Sequence, residues 1–220
     1  MKRILCYGDS NTYGHDPLHY NEILEKYERF PEDVRWPGVM ANLLGSQYKV
    51  WEAGLCGRTT AFDDPDTVTR NGLNCLEMII QTCDPIDCII FMLGTNDTKI
   101  IFDLSAEQIT DGMEKLIKLA KEIFADSRSR NTKIILACPV KVTSDDKGIY
   151  WYEMCEESTS RGERMRKLYK ELAQKYDCVF FDVNDVARVS SADGVHFDAD
   201  GHYSVGVALG NLVKKVLDEE

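Results

Sequence analysis

The sequence holds no Cys-x-x-Cys pair, although eight cysteines occur among its 220 residues. Zinc-ribbon and thioredoxin-type readings therefore have no footing. Cys6, Cys88, Cys138 and Cys178 lie in or beside apolar runs such as Ile4-Leu5-Cys6-Tyr7 and Cys88-Ile89-Ile90-Phe91, where a thiol serves as a small buried hydrophobe. Unpaired cysteines fit a reducing compartment. Positive charge is also scarce: 26 Lys and Arg stand against 37 Asp and Glu, a formal net charge of −11. That balance excludes nucleic-acid backbones and anionic membranes as partners, since both require clustered basic residues. No apolar run approaches the ~18 residues of a bilayer-spanning helix. The run after Met1-Lys2-Arg3 stops at Gly8, well short of the ~7–15 residues of a secretory leader. A cytoplasmic chain without a membrane anchor is expected. No G-x-G-x-x-G or Walker loop is present to bind a nucleotide. Internal repeats, low-complexity tracts and Pro/Gly/Ser linkers are missing as well.

What is present describes an ordinary globular chain. Hydrophobic residues make up 44% and charged residues 29%, so a core can form without disulfides or metal. The length favours one α/β domain over residues 1–220. Five short apolar segments read as buried strands: Arg3–Tyr7, Tyr48–Ala53, Cys88–Leu93, Lys133–Cys138 and Cys178–Asp182. Between them lie stretches of helical period. Glu107–Phe124 places Ile109, Met113, Leu116, Ile117, Ala120 and Ile123 on one face, and Arg164–Tyr176 and His202–Leu217 repeat the pattern. Strands alternating with helices predict a parallel sheet covered on both faces. The one long irregular stretch is Pro139–Arg161, which contains Tyr150-Trp151-Tyr152; a loop of that length is functional more often than idle.

Ligands of open parallel sheets bind beyond the C-terminal strand ends, so the residues that follow each strand carry the chemistry. Only four histidines exist, His15, His19, His196 and His202. His196 has a carboxylate at short spacing around a glycine, Asp193-Gly194-Val195-His196, where Asp193 can fix the tautomer and leave Nε2 free to take a proton. By itself such a motif is more often a simple loop hydrogen bond than a catalytic pair. Ser10, in Gly8-Asp9-Ser10, follows the first strand and is a candidate nucleophile or an ordinary helix cap. Gly57 can offer a bare backbone N–H and Asn96 a side-chain amide to a developing oxyanion, with the Ser10 N–H as a third donor; a turn glycine and an Asx turn are the bland alternatives.

These blocks, in this order, resemble the SGNH (GDSL) hydrolases, named for Ser, Gly, Asn and His. Here those residues are Ser10, Gly57, Asn96 and His196, with Asp193 completing the set. Arg35-Trp36-Pro37-Gly38, Glu52–Thr60, Asp63-Asp64-Pro65 and Ile90–Asp97 look like the intracellular arylesterase and acyltransferase branch. The resemblance implies a three-layer α/β/α fold of flavodoxin type with a five-stranded parallel sheet. It implies hydrolysis of small esters through an acyl-enzyme, with acyl transfer to alcohols as a second outlet, no cofactor and no metal, and a homo-oligomer. Asn11 stands where the family name carries Leu, a departure expected to alter the pocket. Asp9, Asn11, Tyr13, Trp36 and Trp151 are the candidate substrate-binding residues, although the aromatic ones suit a core or a subunit interface equally. Two other readings remain. In a metal-dependent phosphoesterase, Asp9, Asn96, Asp97, His196 and His202 would be ligands; a flavodoxin-like binding module would have no use for His196.

Overall fold

The computed structural model describes residues 1–125 and 127–218. The chain opens with strand β1 (Lys2–Gly8), a one-turn helix α1 (Ser10–Tyr13) and a hairpin, β2 (His15–Asn21) with β3 (Lys26–Arg29). Helix α2 (Trp36–Leu44), strand β4 (Tyr48–Gly54), helix α3 (Gly72–Cys83) and strand β5 (Cys88–Met92) follow. After a 3₁₀ turn at Asn96–Thr98 come α4 (Ala106–Ala125), β6 (Lys133–Cys138), α5 (Glu156–Lys175), β7 (Val179–Asp182) and α6 (Ala199–Asp218).

Five strands form one parallel sheet in the order β4-β1-β5-β6-β7. Counted along this sheet alone the order is 2-1-3-4-5, the flavodoxin-like arrangement, with its switch point between β1 and β5. Gly8 pairs with Gly54 on one side and Met92 on the other, so the three strands beside the switch point end level.

Strand alternation sorts the core into two halves. Leu5, Tyr7, Ile89, Phe91, Ile134 and Leu136 face α3, α4 and α5. Ile4, Cys6, Cys88, Ile90, Ile135 and Ala137 face α2 and α6. Because both faces are covered, the strands read as unbroken apolar runs, and that is why all five were visible in the sequence. At roughly 25 cal/mol per Å² of buried apolar area, these two layers are the main source of stability.

The structure adds helix α3 (Gly72–Cys83) to the expected elements and corrects them at three further places. Helix α5 begins at Glu156 rather than near Arg164, so the irregular stretch ends at Cys155. Its first turn is polar and lacked an apolar signal, but Ser158 is buried, accepts from Cys155 N (3.1 Å) and donates to Thr98 O (2.7 Å). Helix α2 was not expected. Its Pro37-Gly38 reads as a breaker, yet proline is tolerated in a first turn, where its missing N–H has no intrahelical role. The β2–β3 hairpin was also missed, because its sequences, His15–Asn21 and Lys26–Arg29, are too polar to show alternation.

Candidate active site

Strand β1 ends at Gly8, and Asp9 caps α1 by accepting from Asn11 N at 3.0 Å. Ser10 thus becomes the first residue of the helix, where the N–H has no intrahelical acceptor. At the far end of the chain, Asp193 Oδ1 accepts from Val195 N (2.8 Å) and His196 N (2.9 Å), which curls the loop into a tight turn. Gly194 makes that turn possible: its φ is +69°, and a Cβ there would lie 2.1 Å from Thr143 O. Thr143 N donates to Gly194 O and Ser190 N to His196 O, strapping the turn from both sides.

The side chains meet in a line. Asp193 Oδ2 lies 2.6 Å from His196 Nδ1, and His196 Nε2 lies 2.9 Å from Ser10 Oγ. All three residues are buried. Burial acts to raise the Asp193 carboxyl, but the hydrogen bond and charge of His196, with the two backbone donors, outweigh it and hold the group below its ordinary value. An ionised Asp193 requires the proton on Nδ1, so Nε2 is the lone-pair nitrogen facing Ser10. This arrangement can accept the Ser10 proton.

Gly57 and Asn96 come to the same place from β4 and β5. Ser10, Gly57, Asn96 and His196 line one cavity of about 110 Å³ together with His15, Cys56, Lys99, Tyr152, Met154 and Val195. Asn96 Nδ2 donates one hydrogen to Arg58 O at 3.0 Å, leaving its second N–H for another acceptor. Arg58 is buried beside the ends of β1 and β4, with its guanidinium 4.3 Å from the Tyr7 ring centroid and its Nη1 donating to Gly8 O and Ala53 O. It ties the ends of β1 and β4 to the loop that carries Gly57. A larger hollow of about 480 Å³ at the starts of α4 and α5 has no histidine on its walls.

The expected substrate-binding residues sit elsewhere. Asp9 is 1% exposed beneath α1, and burial pushes its carboxyl up to about 6 against the hydrogen bond from Asn11. Trp36 is wholly enclosed between the sheet and α6. Tyr13 lies under Arg29, whose guanidinium is 4.2 Å from its ring. Trp151 is 40% exposed and donates from Nε1 to Asp145 at 2.9 Å. Asn11 does not enter the pocket. Its Nδ2 donates to Val195 O (3.2 Å) and its Oδ1 accepts from Phe197 N (3.0 Å), clamping the His196 loop to α1. Tyr152 supplies the aromatic wall instead, from a backbone in the left-handed region shared with Glu153 (φ +54° and +60°). His15, Cys56, Lys99, Met154 and Val195 were not foreseen in the lining, and no local pattern marks them.

Two of the ligands expected for a phosphoesterase, Asp97 and His202, are held by neighbours. Asp97 accepts from Thr60 N (2.9 Å and 3.1 Å) and Thr60 Oγ1 (2.5 Å), and Trp36 N donates to His202 Nδ1 at 3.3 Å. Among the described residues, one group of three offers metal-ligand atoms within 4.8 Å of one another, His15, Asp193 and His196. Two of its members are bonded to each other.

A 2-1-3-4-5 parallel sheet with serine, glycine, asparagine and histidine gathered at its switch point defines an SGNH hydrolase. The chain belongs to the GDSL-like lipase/acylhydrolase family, whose model matches residues 6–203. It is similar to the native aryl esterase of M. smegmatis, with 33% identity, TM-score 0.90, and 99% of this chain and 100% of that one covered. It is also similar to Est24, a carbohydrate acetylesterase from Sinorhizobium meliloti, at 31% identity and TM-score 0.89, with 98% and 100% covered. A lipase/acylhydrolase from Enterococcus faecalis, 20% identical with TM-score 0.67 over 99% of this chain and 97% of that one, shares the fold. Comparison with curated proteins found no significant match. Family and structural likeness together make the chain a carboxylic ester hydrolase of the arylesterase-like branch, and the reading as a non-enzymatic module falls. No helix among the described residues is long and apolar enough to cross a membrane.

Proposed function

We propose that the chain, as one domain, hydrolyses small short-acyl carboxylic esters with Ser10 as nucleophile, His196 as base and Asp193 as the partner of His196. The observation that carries this reading is the continuous series of contacts from Asp193 through His196 to Ser10, 2.6 Å and 2.9 Å long, on the wall of a cavity. His196 Nε2 takes the hydroxyl proton as Ser10 Oγ attacks the ester carbonyl. The oxyanion is received by the N–H groups of Ser10 and Gly57 and the free N–H of Asn96 Nδ2. His196 returns its proton to the departing alkoxide. The acyl-enzyme is then released to water, or to an alcohol that enters in its place. The chemistry needs no cofactor.

The cavity of about 110 Å³ is small beside the ~300–1,000 Å³ pockets that take drug-sized ligands. That size supports acetyl and similar groups, in keeping with a structural neighbour described as an acetylesterase. The eight unpaired cysteines support a reducing compartment, the cytoplasm. Exposed Ile149 and Trp151, beside the cavity wall, support a homo-oligomer contact.

The test is Ser10→Ala with a panel of p-nitrophenyl esters and a fluorophosphonate probe. The variant should fold, resist labelling and lose at least about a thousandfold in kcat, while the wild type should favour acetate over longer chains. Retention of about a tenth of kcat would remove Ser10 from the nucleophile's role.

A further inference from the structure

The base of the proposed reaction does not stand alone. The His15 ring lies against His196, with centroids 4.0 Å apart and planes tilted 31°. Tyr152 meets the same His196 ring edge-on at 5.2 Å and 85°. His15 is itself held: Tyr27 of β3 packs on it at 5.0 Å, and the Tyr152 hydroxyl is 3.3 Å from its Nε2. Three segments distant in sequence, β2–β3, the loop after β6 and the loop after β7, therefore converge on one imidazole.

We propose that His15 is a positioning residue for this esterase: its ring backs the face of His196, keeps Nδ1 on Asp193 and Nε2 on Ser10, and stabilises the imidazolium that forms during catalysis. The inference rests on the assignment of His196 as base. In the attack step the Ser10 O–H bond breaks, the Oγ–carbonyl carbon bond forms, and the proton arrives on His196 Nε2. A positive charge then appears on a ring with an aromatic face stacked on it, and a π face attracts such a charge most strongly where water is excluded.

The stabilisation requires an uncharged His15, because two cations at this distance repel. Burial, and then the charge of His196, hold His15 down to about 4, so it is neutral wherever the esterase would operate. The titratable and charged groups that face it are His196 and Asp193 from the loop after β7, Asp16 on its own strand, Tyr27 and Arg29 of β3, the latter paired with His15 in the hairpin register, and Tyr152. Those that face His196 are Asp193, Ser10, Asp9, His15, His202 and Tyr152. His15 does not compete as a base, since its Nε2 is turned to the Tyr152 hydroxyl while Ser10 Oγ is bonded to His196.

The experiment compares His15→Leu, His15→Phe and His196→Ala on p-nitrophenyl acetate from acid to mildly alkaline pH. His15→Leu fills similar space without a π face. Its kcat should fall about tenfold, equal to ~1.4 kcal/mol in the barrier, with KM within about threefold. The acid limb of its kcat/KM profile should move to lower pH, because an imidazolium stripped of its aromatic backing loses its proton more readily. His15→Phe restores the face and should recover most of kcat. A residue that merely shapes the pocket would move KM and leave the acid limb in place. His15→Leu with wild-type kcat and an unmoved acid limb, beside an inactive His196→Ala, overturns the inference alone. An active His196→Ala overturns the base assignment and the inference together. If His15→Leu does not fold, His15→Met carries the same expectation.

Discussion

Asn11→Leu is the most informative single change. Asn11 is 3% exposed, and both ends of its amide are spent on the backbone of the His196 loop, at Val195 O and Phe197 N. Leucine removes both bonds and leaves a buried carbonyl and a buried N–H without partners, each costing ~1–3 kcal/mol. The added apolar burial of leucine returns roughly 1.5 kcal/mol. The balance is a loss of about 2 kcal/mol, which in a chain of this size lowers Tm by ~4–8 °C. The effect on catalysis should exceed the effect on stability. Asn11 adjoins Ser10, and the clamp sets the separation between nucleophile and base, where a displacement near 1 Å costs up to about a hundredfold in rate. Thermal melts and initial rates on p-nitrophenyl acetate read the two effects separately. Asn11→Asp keeps the acceptor for Phe197 N but turns a carboxylate oxygen on Val195 O and buries a charge, so it should lose at least as much as Asn11→Leu. An Asn11→Leu enzyme with unchanged Tm and kcat would refute the clamp, and with it the account of how the loop is aligned. Because the family name carries Leu here, the variant also asks whether the clamp is peculiar to this chain.

Asn96→Ala should lower kcat by about 10²-fold with little change in KM, as expected of a donor used mainly in the transition state; a raised KM at constant kcat would make it a ground-state contact. Asp97 gives a pH signature. Burial raises its carboxyl to about 6 against the hydrogen bonds from Thr60, so the folded state binds this proton more tightly than the unfolded state does. The stability linked to that proton is complete below the unfolded value and is lost as pH rises through about 6. Asp97→Asn escapes the loss, and its stability relative to wild type should rise between pH 4 and pH 7 by at most ~3 kcal/mol; parallel urea midpoints across that range would contradict it. Trp151→Ala should weaken self-association and broaden acyl-chain tolerance, measured by light scattering beside the ester panel. A monomeric wild type at micromolar concentration removes the interface, and an unchanged chain-length profile removes the link to the pocket.

The strands were legible because each is buried on both faces and shows as an unbroken apolar run. Asp193 and His196 were legible as a pair because a glycine between them signals a tight turn, which Gly194 indeed makes at φ +69°. Helix α2 was hidden by Pro37 and Gly38, whose local meaning reverses inside a first turn. The cavity walls were hidden for a different reason. His15, Cys56 and Lys99 arrive from separate segments, and only packing decides that they meet. Trp36 shows the converse error: an aromatic residue in a family-like motif suggested a pocket, but the motif serves the contact between α2, the sheet and α6.

Ser10 and His196 stand 186 positions apart in the chain, and every strand of the parallel sheet lies between or before them. During synthesis the proposed nucleophile therefore leaves the ribosome long before its base, which follows only after β7 has been made. A nascent or truncated chain can complete much of the sheet and still have nothing to withdraw the Ser10 proton. Acylation would then be confined to molecules that extend through His196, and an active-site serine probe would count those in a cell extract while passing over shorter fragments.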